Sequence, residues 1–236
     1  MAGAAAHVFV DDLAEPVLAG ADRHHLGRVL RVRAGEVVTA SDGAGGLLRC
    51  AALGPGKQLR LEPAGAVERQ PRSDPPLTVG FALTTGEKPE WAVQRLTEVG
   101  VDRIVPFVAA RSVVRWDAAR AARHTERLRA VARAAAMQSR RAWLPELPVP
   151  VPFDHLLSEL GANAVHAALA DPGGSPPSLL RPTILVGPEG GFDAAELASC
   201  LARVRLGDHV LRAETAAVTA GMLLCALRGG VVWEQH

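Results

Sequence analysis

The sequence predicts an α/β protein in two parts: a small N-terminal barrel of short strands, then a larger domain built on a mostly parallel sheet. Short β-like runs separated by glycine turns fill the first part of the chain. A polar stretch with three prolines, residues 68–76, then interrupts any hydrogen-bonded structure. Beyond it, apolar runs alternate with helical stretches, the rhythm of strand–helix–strand units. The domain boundaries expected from this are 1–72 and 73–236.

In the first part, residues 8–10 form a brief strand. Leu26, Val29 and Leu30 recur at helical spacing, so residues 21–30 are expected to be helical. Strands are expected over 37–40, 47–53 and 59–61. Ser41-Asp-Gly-Ala-Gly-Gly46 and Gly54-Pro-Gly-Lys57 supply the turns between them. In the second part, strands are expected over 77–83, 104–108, 164–170, 183–186 and 204–206. Helices are expected over 89–99, with Pro89 suited to the first turn, and over 118–137, 153–160, 194–201 and 215–228. Residues 171–182 read as a Pro/Gly/Ser loop.

Composition excludes several classes. The chain has 236 residues, 48% apolar and 22% charged, a globular profile and not a disordered one. No apolar run reaches the roughly 18–20 residues needed to cross a bilayer. The first residues carry no basic segment, and Asp11 and Asp12 follow, so no signal peptide is expected. Cys50, Cys200 and Cys225 are odd in number and far apart, which offers neither a disulfide framework nor a zinc knuckle. The histidines have no HxH or HExxH spacing, so no metal is implied. These features predict a reduced, cytoplasmic, soluble protein.

Net charge is only +1, but its distribution is uneven. Of 26 basic residues, only Lys57 and Lys88 are lysine. Between Arg111 and Arg141, nine arginines face two acids, a formal +7. Such a segment is the footprint of a polyanion partner, or else a solvated helix face.

Two segments carry the chemistry. In Thr183-Ile-Leu-Val-Gly-Pro-Glu-Gly-Gly-Phe192 an apolar strand runs straight into a glycine loop, and Asp193 opens a helix. Ligands of parallel sheets bind at the carboxyl ends of strands, and glycines let backbone amides approach them. The spacing fits neither the dinucleotide nor the P-loop pattern; an ordinary tight turn capped by Asp193 is the alternative. In Leu206-Gly-Asp-His-Val-Leu-Arg-Ala-Glu-Thr-Ala216 a second strand end leads into a helix. Glu214 would sit favourably in that helix's first turn, and Arg212 could pair with Glu214 or Glu189. The two loops would form one cleft if they meet, which sequence order alone does not decide.

These motifs resemble the SPOUT-class RNA methyltransferases, specifically the RsmE-type 16S ribosomal RNA (uridine-N3) methyltransferases. His24-His-Leu-Gly-Arg-Val-Leu-Arg-Val-Arg33 with Asp42-Gly-x-Gly45 is similar to that family's PUA-like barrel. Lys88-x-Glu90, Glu98-x-Gly100 and Gln138-x-x-Arg141 also fall in the family's order. The resemblance implies a SPOUT domain with a trefoil knot, a homodimer, and S-adenosylmethionine held in the knot loops. The loops carried over are Leu185, Val186, Gly187, Pro188, Glu189, Gly190 and Gly191, then Leu206, Gly207, Val210, Leu211, Arg212, Thr215 and Ala216. Many relatives carry glutamate just before the glutamine of Gln-x-x-Arg; here it is Met137, so no base is expected there.

Uridine N3 must lose its proton to attack a methyl group, and it lies on the Watson–Crick edge, so the base must be unpaired. The expected chemistry is stabilisation of uracil's anionic charge by Arg212, with Glu214 and Glu189 as candidates for proton acceptance or cofactor contact. RNA contacts are expected from Arg28, Arg31, Arg33, Lys88, Arg95, Gln138, Arg140 and Arg141. Arg31 and Arg33 would share one face of a strand. The substrate implied is 16S ribosomal RNA in the small ribosomal subunit. Other readings are methylation of transfer RNA, a non-catalytic assembly factor, and a phosphate-binding metabolic enzyme.

Overall fold

The computed structural model describes residues 3–199 and 201–233; Met1, Ala2, Cys200 and residues 234–236 lie outside them. The chain divides into two compact units. Residues 1–72 group with 133–144, and 73–132 group with 145–236. The second stretch of the first unit, 133–144, comes from the middle of the region expected to form the C-terminal domain.

In the first unit, β1 (Ala6–Phe9) pairs in parallel with β2 (Val37–Ser41). The antiparallel strands β3 (Gly46–Leu53), β4 (Arg60–Pro63) and β5 (Glu68–Arg69) complete a five-stranded sheet. The β2–β3 turn is closed by Asp42, whose Oδ1 accepts from the backbone N–H of Ala44 at 2.8 Å and of Gly46 at 2.9 Å. Val8, Val38, Ala40, Leu48 and Cys50 point into the core from the strands, and Leu59 joins them from the turn before β4. Residues expected to form one helix split into α1 (Gly20–His24) and a wider π turn over His25–Val29. Gly27 lies where the chain at Gly56 presses in: a Cβ there would sit 2.8 Å from the Gly56 carbonyl oxygen.

Arg133 ties the stretch 133–144 into this unit. It makes a two-pronged bond to Asp22 (2.7 and 3.1 Å) and donates to the Phe9 carbonyl at 3.0 Å. His7, buried on β1, bonds the Thr39 hydroxyl at 2.8 Å and the Arg141 carbonyl at 3.0 Å. Met137 packs against this same core, so an apolar residue at that position has a packing role.

In the second unit, β6 (Thr78–Ala82), α2 (Lys88–Val99), β7 (Arg103–Val108), α3 (Ala118–Gln138), β8 (Val151–Pro152) and α4 (Phe153–Leu160) come first. β9 (Ala167–Ser175), β10 (Thr183–Val186), α5 (Ala194–Leu197), β11 (Ala202–Val204) and α6 (Ala213–Arg228) follow. The six strands are all parallel, in the order β11-β9-β10-β6-β7-β8. The chain thus builds outward from β6 on one side, crosses to the other, and then lays β10 into the gap between β9 and β6. A cleft is expected at the carboxyl ends where the order reverses.

The expected 171–182 loop is partly strand: β9 continues to Ser175 and pairs with β11 after a register shift. Asp171-Pro-Gly-Gly reads as a turn, but Gly174 serves close approach instead. A Cβ there would lie 2.5 Å from the β11 backbone. The final sheet strand therefore falls at 202–204, earlier than the expected 204–206, and α5 stops at 197. Among the described residues no helix is long and apolar enough to cross a membrane.

Arg228 locks the end of α6 to the start of this unit. Its guanidinium pairs with Asp102 and donates to the carbonyls of Gly100 at 2.9 Å and Pro75 at 3.2 Å. Both partners of the ion pair are largely buried, with side-chain exposures of 13% and 18%. Arg228→Met should therefore lower stability by about 3 kcal/mol, because Asp102 keeps a charge without its partner. A urea titration that leaves the midpoint unmoved would contradict this assignment.

Burial holds the His7 imidazole well below its ordinary 6.5, at about 4, with Arg140's charge adding to the effect. The unfolded chain therefore takes up a proton that the fold refuses between those values. Stability should fall as pH drops through that window, by up to roughly 3 kcal/mol, and be flat above it. His7→Gln should remove the slope; urea midpoints at mildly acidic and neutral pH measure it.

Candidate active site

The apolar strand β10 ends at Val186, and the chain enters a turn in which the Gly191 N–H returns to the Pro188 carbonyl at 2.8 Å. Phe192 then plunges back into the core, with its ring 5.5 Å from Phe153 and 6.4 Å from Phe107. Asp193 caps α5: its Oδ1 accepts from the Glu196 N–H, and Glu196 Oε2 accepts from the Asp193 N–H, both at 2.8 Å. Glu196 Oε1 also accepts from the Ala110 N–H, and Arg111 donates to the Gly190 carbonyl, both at 2.8 Å. The loop is thus stapled from beneath, from behind and at its far end.

The second loop, residues 205–212, lies against the first. Between them is a cavity of about 300 Å³. Val186, Gly187, Pro188, Glu189, Gly191 and Phe192 line one side. Leu206, Gly207, His209, Val210 and Leu211 line the other, with Ala213 and Ala216 of α6. The end of β9 supplies a third wall from Ala170, Asp171 and Pro172. The two loops that the sequence could not join do meet.

Not every expected residue reaches the cavity. The Leu185 side chain is fully buried in the core around Phe107 and Phe192. Alternation along β10 turns it away from its neighbours' direction. Gly190, Arg212 and Thr215 are also off the wall; Arg212 and Thr215 are exposed at the start of α6. Asp171, Leu197, His209 and Ala213 line the cavity without having been singled out. Asp171 was hidden by its turn-like neighbours, and His209 and Ala213 by lying between the residues that carry the motif.

A charged cluster stands beside this cavity. Lys88, the first residue of α2, donates to Glu189 Oε1 at 2.6 Å and lies 3.8 Å from Glu214 Oε2. The hydrogen bond to Glu189 raises the Lys88 ammonium above its ordinary value, while Arg212's positive charge acts against it. The same bond, with the residue's own backbone N–H, holds the Glu189 carboxyl below the usual range. Glu214 is 15% exposed, and its Oε2 is buried without a hydrogen-bond partner.

The residues expected to touch RNA are spread over both units. Arg28, Arg31 and Arg33 are exposed in the first, as is Gln138. Residues 31–33 are not a strand, and Arg31 has a left-handed φ of 53°, so the shared-strand-face expectation fails. The two arginines nonetheless flank the buried Val32. Arg140 donates to the Ala4 carbonyl at 2.7 Å. In the second unit, Arg95 pairs with Glu98 at 2.7 Å. The +7 segment is not one free basic face: Arg127 pairs with Glu90, Arg129 with Glu126, and Arg133 with Asp22.

Residues 71–224, which contain the whole cavity, match the RNA methyltransferase domain family, and residues 18–58 match the RNA methyltransferase PUA domain family. The chain is 36% identical to ribosomal RNA small subunit methyltransferase E of Mycobacterium tuberculosis, over 90% of this chain and 88% of that protein. It belongs to the ribosomal RNA small subunit methyltransferase E family. The member from Bacillus subtilis is 30% identical over 86% of each chain. A solved Legionella pneumophila methyltransferase candidate, in complex with bound cofactor SAM, superposes with a TM-score of 0.78. It is 27% identical, over 93% of this chain and 96% of that one. A family member from Neisseria gonorrhoeae shares the fold at a TM-score of 0.80, over 97% of this chain and 98% of that one.

Phe192, 7% exposed, anchors the first loop of the cavity through its two ring contacts. Phe192→Ala should cost about 3 kcal/mol and release the loop. A thermal melt equal to that of the unaltered protein would refute the anchoring role.

Proposed function

We propose that this protein is an S-adenosylmethionine-dependent methyltransferase acting on N3 of a uridine in 16S ribosomal RNA of the small subunit. The reading rests on one observation above all: both candidate loops close on a single cavity inside the region that matches the RNA methyltransferase domain family. The names of the relatives support the substrate. The cytoplasm is the expected compartment for such a substrate.

The cavity suits the cofactor. Its volume, about 300 Å³, lies at the lower end of small-molecule sites. Its walls are mostly apolar (Val186, Leu206, Leu211, Ala216), and the glycine-rich loop offers backbone groups for a polar edge. Gly187, Pro188, Gly191, Gly207 and Val210 would hold the nucleoside and methionine parts. When bound, S-adenosylmethionine supplies a methyl carbon whose bond to sulfur breaks as the N3 lone pair forms the new bond. Glu214 takes the N3 proton once the arriving base uncovers its Oε2, a carboxylate oxygen with no hydrogen-bond donor. Arg212 stabilises the negative charge that spreads over the uracil oxygens. Glu189 is engaged by Lys88, which fits holding the loop better than taking a proton.

RNA would be gripped in the first unit by Arg28, Arg31 and Arg33, with Gln138, Arg140 and Arg141 near the end of α3. Such contacts give affinity and register, and they weaken with salt. The five-stranded sheet of that unit is read as a PUA-like barrel. The placement of β10 between β9 and β6 is consistent with the trefoil knot of SPOUT domains. A homodimer completes the reading; Met222 of α6, 55% exposed, is an apolar residue available to it.

Nucleoside mass spectrometry of ribosomal RNA from a deletion strain should show 3-methyluridine missing from 16S RNA. The unaltered gene should restore it and Glu214→Gln should not. Loss of a methylated nucleoside from transfer RNA instead would overturn the substrate. Ala216→Leu should weaken S-adenosylmethionine binding about tenfold or more in calorimetry, by filling the cavity.

A further inference from the structure

The Lys88 cluster holds a feature that neither cofactor binding nor RNA grip explains. A lysine opens α2, at the end of a helix where the dipole disfavours positive charge. Two carboxylates on other elements offset that cost: Glu189 on the loop after β10, and Glu214 in the first turn of α6. The contacts are unequal. Glu189 receives a direct bond of 2.6 Å. Glu214 Oε2, at 3.8 Å, is too far for a hydrogen bond and close enough for attraction. A buried carboxylate oxygen left without a donor is costly, and native structures seldom keep one without a use.

We infer that Lys88 is a positioning residue for methyl transfer: it draws on Glu214 Oε2 at 3.8 Å without hydrogen-bonding it, so that the oxygen keeps its acceptor capacity for a substrate N–H whose arrival uncovers it, and through Glu189 it pins the cavity loop. Its ammonium, though one-third exposed, is therefore committed to these two carboxylates and is not a phosphate contact. This rests on the proposed role of Glu214 as proton acceptor. In that step the N3–H bond breaks, its proton goes to Oε2, and the N3 electron pair becomes available for the methyl carbon. Lys88 is neither base nor nucleophile: both carboxylates favour its charged form.

Steady-state and single-turnover methylation of small-subunit RNA by the full-length protein separates the roles. Lys88→Met should lower kcat by roughly tenfold to a hundredfold, with KM for RNA and its salt dependence nearly unchanged. Lys88→Arg, which keeps the charge, should recover much of the loss. Calorimetry with S-adenosylmethionine should show weaker binding in Lys88→Met and in Glu189→Gln, because both release the loop, whereas Glu214→Gln should bind it normally. A rise in KM with a shallower salt slope at constant kcat would make Lys88 a phosphate contact and overturn the inference. An inactive Glu214→Gln beside a fully active Lys88→Met would overturn the inference alone. A fully active Glu214→Gln would overturn the acceptor role and the inference with it. Melting curves of each variant establish that the comparison is made between folded proteins.

Discussion

The site depends on one buried strand. β10 lies between β9 and β6, bonded on both sides, with Ile184 and Leu185 fully buried on its two faces. Both backbone edges and both side-chain faces are therefore fixed, and the strand has no freedom to slide without exposing apolar surface. Its end point then determines where the glycine loop begins. Phe192 returns the chain to the core only six residues after Val186, so the loop is tethered at both ends and is short. A loop held this way keeps backbone N–H and C=O groups at the cavity at little ordering cost when a ligand arrives.

Charge is used differently from what its distribution along the sequence suggests. An excess of arginine between 111 and 141 looks like a surface for polyanions. Yet Arg133 is spent on Asp22 and the Phe9 carbonyl, Arg129 reaches Glu126 and the Leu147 carbonyl, and Arg111 secures the cavity loop. Arginine suits these tasks because its planar fork satisfies a carboxylate and a carbonyl together. Arg28, Arg31 and Arg33 of the first unit are exposed.

Much of the second unit was legible because its signals are local. Apolar runs bounded by turn residues gave β6, β7 and β10, and helical spacing gave α2, α3, α4 and α6 with ends within about two residues. Three failures share a cause. The Asp171-Pro-Gly-Gly stretch looked like a loop, yet Gly174 is there to admit the backbone of β11. The helix expected over 21–30 widened into a π turn where Gly27 meets Gly56. The stretch 133–144 joined the first unit because Arg133, Met137 and Arg140 find partners there. In each case a contact distant in sequence overrode local preference, and no window of neighbouring residues contains that information. The same holds for the cavity: each loop was readable, and their meeting was not.

The cavity and the chemistry are built from different materials. Its walls are mostly apolar side chains and loop backbone, with Asp171, Glu189 and His209 as the polar side chains among them. Lys88, Glu214 and Arg212 stand off those walls, where α2 and α6 begin, and Glu189 links them to the first loop. Such a separation has a physical reason. Charges placed among apolar walls would need partners there, and their desolvation would weaken binding of a cofactor that itself carries charge. Placed at the start of α6, Glu214 gains from the helix dipole and from Lys88 without losing its free oxygen. Two carboxylates and two cations sum to no net formal charge at this edge of the cavity. Rim and cavity are nonetheless coupled, because Glu189 both lines the cavity and takes the Lys88 hydrogen bond.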